Sequence, residues 1–224
     1  MSDFSLFGPM SSAVRSTIII VSFLAIFFIV IGQKIKKLDP KQTPKGFLFA
    51  IIMMVDGFNA FITQYMEKDK FKFFGPYLFT IIVFLATANT ISLVGLTPPL
   101  SNLAVALSFT VMTFFIIKIA EFKFITVKKK MKNLFGEVLI MSPIMLPINL
   151  IGEVSTPFSM GLRLFVNLLS GVVIATMVYT VLNWVLGIFA GIMLHAIFDL
   201  FFGLIQAFVF LMLSTINISM ATDA

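Results

Sequence analysis

The 224 residues include no cysteine, which removes both a disulfide framework and a thiolate metal site from consideration. Charge is nearly as scarce. Only 12% of the residues are Asp, Glu, Lys or Arg, about half the share of an ordinary soluble domain. There is one histidine and one tryptophan. No G-x-x-x-x-G-K-[ST] loop, G-x-S-x-G elbow or H-E-x-x-H helix occurs, so nucleotide, acyl-transfer and zinc-protease chemistry have no foothold. What fills the chain is apolar: 59% hydrophobic residues, 28 Phe and 14 Met, with a mean hydropathy of +1.08. The long apolar runs are several, so one integral membrane domain over residues 1–224 is expected, not a soluble domain on a single anchor. The stretch before the first run holds Asp3 and Arg15 and lacks a basic n-region, so no cleavable signal peptide is expected there.

Charge placement sets the expected topology. The first span is read over 17–33 and ends at Lys34, Lys36, Lys37, Lys41 and Lys45. The next apolar stretch, 46–67, carries Asp56, Asn59, Thr63 and Glu67 at helical spacing. It is read as an amphipathic helix lying in the interface, which keeps Lys68, Lys70 and Lys72 on the side of the first lysine cluster. Spans over 73–96 and 103–119 follow, joined by a turn at Thr97, Pro98 and Pro99. The third cluster comes next: Lys118, Lys123, Lys128, Lys129, Lys130 and Lys132. These clusters hold 14 of the 16 basic residues on one side, which argues for a positive-inside arrangement and against nucleic acid as the reason for the net charge of +6. Segments 144–185 and 186–220 are too long for upright spans, so an antiparallel hairpin of two tilted helices is expected. The fold class is therefore all-α: five membrane-embedded helices, with the N-terminus outside and the C-terminus inside.

The isolated charges of the last 92 residues carry the chemistry. Arg163 lies deep in an apolar helix, where a central Arg costs about 2.5–3.5 kcal/mol on insertion scales, too far from either end to snorkel. Ser159, Asn167, Ser170 and Gly171 recur near its face, small or polar enough for a partner helix to approach. On the other long helix His195, Asp199, Gln206 and Asn217 fall on one stripe at about 100° per residue, a line of protonatable and hydrogen-bonding groups that reads as a proton path. His195 and Asp199 as a metal pair lack a third ligand nearby in sequence, and a buried His–Asp pair without transport is the plainer alternative. Glu153 alone reads as a solvated charge at a membrane surface, and Asn89 as an interhelical hydrogen bond.

The run Pro157-Phe158-Ser159-Met160-Gly161-Leu162-Arg163-Leu164-Phe165-Val166-Asn167, with Gly171 after it, resembles the signature of the ATP synthase subunit a family. Asn149-Leu150-Ile151-Gly152-Glu153 and Ile205-Gln206-Ala207-Phe208-Val209-Phe210 resemble the stretches before the Arg helix and in the last helix, and the likeness continues upstream through Asn89 and the Thr97-Pro98-Pro99 turn. The resemblance implies a non-catalytic stator subunit of a rotary F-type ATP synthase. Arg163 would be the essential arginine that faces the carboxylates of a rotating c-ring and divides two aqueous half-channels. Asn89, His195, Asp199 and Gln206 would line the outer half-channel and Glu153 the inner one, with Ser159, Asn167, Ser170 and Gly171 facing the ring.

The implied partners are the c-ring, a peripheral stalk subunit b, the lipid bilayer and, indirectly, the soluble catalytic head. No cofactor, metal or nucleic acid is implied. The expected location is a bacterial plasma membrane, or alternatively a mitochondrial inner membrane. Val166 stands where the motif more often has a small residue, Val172 where some bacterial members have Glu, and Asp199 where Glu or His is usual, which puts the acid function on Asp199 alone. The competing reading from the residues is a secondary transporter binding an anionic substrate at Arg163, though neither inverted repeats nor paired broken helices are evident.

Overall fold

A computed structural model describes residues 12–37, 46–94, 96–125, 142–182 and 184–223. Lys41, Lys45, the lysines over 128–132 and Asn183 lie outside them. The order is α1 (Ser12–Lys36), α2 (Phe47–Ile62), α3 (Lys68–Thr90), α4 (Leu103–Phe124), α5 (Ser142–Val181), α6 (Trp184–Leu194), a π-helical segment (His195–Phe202) and α7 (Gly203–Asp223). Among the described residues there is no strand. Hydrocarbon leaves an unpaired backbone amide no partner, so a chain this apolar must close its hydrogen bonds within each segment.

Five helical stretches are long and apolar enough to cross a membrane: Ser12–Lys36, Lys68–Val94, Leu103–Phe124, Pro147–Val181 and Leu186–Thr222. Their surfaces agree with that role. Phe23, Ile26, Phe115, Phe189 and Ile192 are all exposed, a display of apolar area that water would not tolerate but lipid does. At 16 residues α2 is about 24 Å long, short of the ~30 Å hydrocarbon core. It leans on α3 through Ile62 and through Phe58, whose ring stands 5.2 Å from that of Phe79.

Boundaries moved where polar residues sit. The helix expected from 73 begins at Lys68, and the one expected to end at 119 runs to Phe124. Both extensions are lysine-bearing turns whose backbone bonds continue while the side chains find local partners. Lys70 Nζ lies 3.2 Å from Glu67 Oε2, and Lys123 Nζ sits 3.4 Å above the Phe73 ring. Between α3 and α4, Pro98 and Pro99 cannot continue a helix, and Asn102 restarts one by accepting a hydrogen bond from the Ala104 amide at 2.9 Å.

α5 packs along α4, and α7 along α3 and α4. Their common core holds Leu85, Leu100, Ala106, Met160, Leu164, Leu168, Ala207 and Phe210. On α5 the buried positions Pro157, Met160, Gly161, Leu164, Leu168 and Gly171 repeat every three or four residues, which fixes which face turns inward. Gly161 is the point of closest approach. A Cβ there would stand 2.8 Å from Thr110 Oγ1 and 2.9 Å from Leu107 Cδ2. Gly161→Leu is accordingly expected to cost about 1–3 kcal/mol through overpacking, read as a reduced yield of folded protein in detergent and a lower melting temperature. An unchanged melting temperature would mean that α4 and α5 do not meet there.

The last long segment is not a uniform α-helix. Residues 195–202 form π-helix, whose i→i+5 bonds take more residues into each turn than the 3.6 of an α-helix. The single stripe expected at 100° per residue therefore does not run unbroken from His195 to Gln206.

Candidate functional site: an exposed arginine and a paired histidine and aspartate

Arg163 sits close to the middle of the apolar stretch Pro147–Val181, 16 residues from one end and 18 from the other. That is about 25 Å of helix either way, several times the reach of its own side chain. It is exposed on the face opposite the buried positions, and among the described residues it makes no ion pair or hydrogen bond with a side chain. A guanidinium in hydrocarbon with no acidic partner among the described residues calls for one.

Ser159 shares that exposed face, and Asn167 and Ser170 are partly exposed beside it. Gly171 does not. It is buried, and a Cβ added there would lie 3.2 Å from Phe198 Cβ, so its small size serves packing between α5 and the π segment. Helical phase explains the difference: eight residues past Arg163 is about 80° round the helix, while seven is only about 20°. Glu153, ten residues before, also comes about 80° round, which turns it toward α4. There its Oε2 lies 2.7 Å from Lys118 Nζ, and Lys118 also bonds Glu121 Oε2 at 3.0 Å. Sequence alone left Glu153 as a solvated charge; its partner lay 35 positions away on another helix.

On the facing side of the hairpin, His195 Nδ1 and Asp199 Oδ2 are 2.5 Å apart. The imidazole is half exposed and the carboxylate mostly covered. The pair borders two cavities. One of about 700 Å³ is lined by Ser92, Tyr179, Gly187, Gly191 and His195, among others; the second, about 230 Å³, adds Pro98, Gly171, Thr176 and Asp199. His195 is shared by both, and Asp199 borders only the smaller. Tyr179, which sequence reasoning did not single out, brings its hydroxyl 3.5 Å from His195 Nε2. Among the described residues no cluster of three or more His, Asp or Glu side chains surrounds the pair.

Asn89 and Gln206 line neither cavity. Asn89 is buried at 1% exposure and donates from Nδ2 to the Gly203 carbonyl at 2.8 Å, where π-helix returns to α-helix; its Oδ1 has no partner. Gly203 is where the two helices come closest, since a Cβ there would stand 2.9 Å from Asn89 Cβ. Gln206 is buried next to Ala207 in the core, three residues beyond that junction.

Two acids on separate helices, a central exposed arginine and two cavities bordered by His195 thus lie on one hairpin and its neighbour. Comparison with known proteins decides the family: the family model described as ATP synthase A chain matches residues 14–219. The chain belongs to the ATP synthase A chain family. Among its relatives, ATP synthase subunit a 2 of Chlorobaculum tepidum is 29% identical over 225 residues, covering 94% of this chain and 63% of that protein. ATP synthase subunit a of Chlorobium phaeobacteroides is 29% identical over 91% of this chain and 62% of its own length, and that of Mycoplasma pneumoniae 30% identical over 85% and 72%. The chain thus spans a little under two thirds of the length of the two green-bacterial relatives. As a member of the ATP synthase A chain family with five apolar helices of spanning length, it is a multi-pass membrane protein.

Proposed function

We propose that this chain works as the non-catalytic membrane stator subunit a of an F-type ATP synthase, passing protons to and from the carboxylates of a c-ring and so coupling an ion gradient to rotation. The observation that carries the reading is Arg163, central in its span, exposed, and without an acidic partner among the described residues. A positive charge within a few Å holds a carboxylate ionised, whereas lipid favours the protonated form, so each ring carboxylate is obliged to give up its proton as it passes Arg163 and take another before returning to lipid.

In this assignment the Tyr179–His195–Asp199 side of the hairpin belongs to the outer half-channel, and Glu153, held by Lys118, to the inner one. The two are kept apart by Arg163, with Ser159, Asn167 and Ser170 against the ring. Asn89 and Gln206 belong to the outer side, as a helix clamp and a buried polar contact. The lysines at the ends of α1 and α4 and at the start of α3 support an orientation with the C-terminus inside, in a bacterial plasma membrane. A peripheral stalk subunit b and, through it, the catalytic head complete the assembly. An anion transporter built on Arg163 has less support, because the arginine lines neither of the cavities beside His195.

The lack of any native cysteine makes the interface directly testable. Single substitutions Ser159→Cys, Leu162→Cys and Val166→Cys, all on the exposed face, are expected to form disulfides with a cysteine placed beside the ring carboxylate. Met160→Cys and Leu164→Cys, both buried, are not. Equal cross-linking from both faces, or none from the exposed one, would remove the ring from this surface.

A further inference from the structure

Tyr179 lies near the end of α5, in a run of apolar residues, half exposed, with its phenol reaching toward α6. It crosses Gly191 of α6: a Cβ at Gly191 would stand 2.3 Å from the phenol oxygen, 2.9 Å from Cε1 and 3.0 Å from Cζ. The notch left by this glycine is what lets the hydroxyl reach His195 Nε2, at 3.5 Å. With Nδ1 committed to Asp199 at 2.5 Å, both ring nitrogens are engaged, one on each side of the imidazole. The large cavity reaches Tyr179, Gly191 and His195 without touching Asp199, which borders only the smaller cavity; Tyr179 and His195 line both.

Resting on the half-channel reading above, we propose that Tyr179, seated in the Gly191 notch, is a positioning residue that sets how His195 takes up a proton from the large cavity for delivery to Asp199. A phenol hydroxyl both donates and accepts, so it bonds the imidazole in either protonation state, and more strongly when the ring is protonated and the bond is charge-assisted. With Asp199 ionised, neutral His195 carries its proton on Nδ1 toward the carboxylate, and Nε2 accepts from Tyr179 or from water. A proton from cavity water then binds the Nε2 lone pair, and the Nδ1 proton moves to Asp199. The imidazole ends protonated on Nε2 and the carboxylate neutral, with one proton in and one proton on. Tyr179 accepts from the new Nε2–H and holds the ring in place. The titratable groups lining either cavity with His195 are Tyr179 from α5 and Asp199 from its own segment. The other polar side chains lining these cavities are neutral: Ser92 in the turn after α3 and Thr176 on α5.

The test uses the complete complex in proteoliposomes, with ATP synthesis driven by a fixed diffusion potential and measured against the pH of the outer compartment. Tyr179→Phe keeps the ring and removes the hydroxyl. It is expected to move the outer pH that gives half-maximal rate downward by about half a unit, because the bond removed is stronger to the protonated imidazole. Gly191→Ala, which adds no polar or charged group, is expected to displace it the same way by pushing the phenol off, and the double variant to match either single one. A purely structural role would lower the rate at every pH and leave the midpoint in place, which would overturn the proposal. So would a displaced midpoint in Gly191→Ala beside an unmoved one in Tyr179→Phe. Asp199→Asn separates the two levels. If it stops synthesis while Tyr179→Phe leaves the profile untouched, only the role of Tyr179 falls; if it leaves synthesis unimpaired, the half-channel reading falls as well.

Discussion

Arg163→Ala is expected to bring ATP-driven proton pumping in inverted membrane vesicles to background, while ATP hydrolysis by the soluble head continues. The expectation follows from where the guanidinium sits. With about 25 Å of apolar helix on either side, no other basic residue of α5 can take its place. A cation beside a carboxylate lowers its pKa by about 1–3 units, which at 1.36 kcal/mol per unit is about 1.4–4 kcal/mol of bias toward release. Without it a ring carboxylate in a low-dielectric site keeps its proton, and the two half-channels lose the barrier between them. Arg163→Lys is expected to fail nearly as badly, since a compact ammonium lacks the planar fork with which arginine meets a carboxylate. Pumping at the unmodified rate in the alanine variant would refute the stator assignment.

Asp199→Asn is expected to slow pumping at least about tenfold, at the low end of what a positioned proton carrier contributes. This substitution is informative because it changes so little else. Asparagine fills the same space on the π segment and can still bond His195, so the packing of Gly171 against Phe198 next to it is retained. What disappears is the ability to hold and release a proton. Measured as acidification of inverted vesicles over a range of pH, an unchanged rate and unchanged pH dependence would place the outer path elsewhere in the protein.

Much of the architecture was legible because membrane proteins write their spans as uninterrupted apolar runs. The five helices, the proline-rich turn and the central arginine all follow from composition and spacing along one dimension. Gly171 shows the limit of a loosely drawn stripe: it is close to Arg163 in sequence pattern but 80° away in phase, and it packs against Phe198 instead of facing outward. The π segment has no such signature, since His195 to Phe202 reads as ordinary helix until its hydrogen bonds are seen. The partners of Glu153 and Tyr179 were not legible for a different reason. A carboxylate near a helix end and a tyrosine among apolar residues look like an interfacial charge and a belt aromatic when read alone. Only tertiary packing brings Lys118 to the first and His195 to the second.

The close seam at Gly161 has a mechanical consequence. In the proposed assignment, a ring driven past the outer face of α5 would exert sideways drag on that helix, and a stator that yielded would turn with the rotor and waste the gradient. The drag would enter at Arg163, only two residues from Gly161, where α5 comes close to the side chains of Thr110 and Leu107. The load therefore passes into α4 over almost no lever arm. Toward the start of α5, about 15 Å from the arginine, the link from Glu153 to Lys118 acts as a second anchor on the same helix, resisting rotation about the first. Two fixed points on one neighbour make α5 a braced beam, stiff at the height where the force arrives.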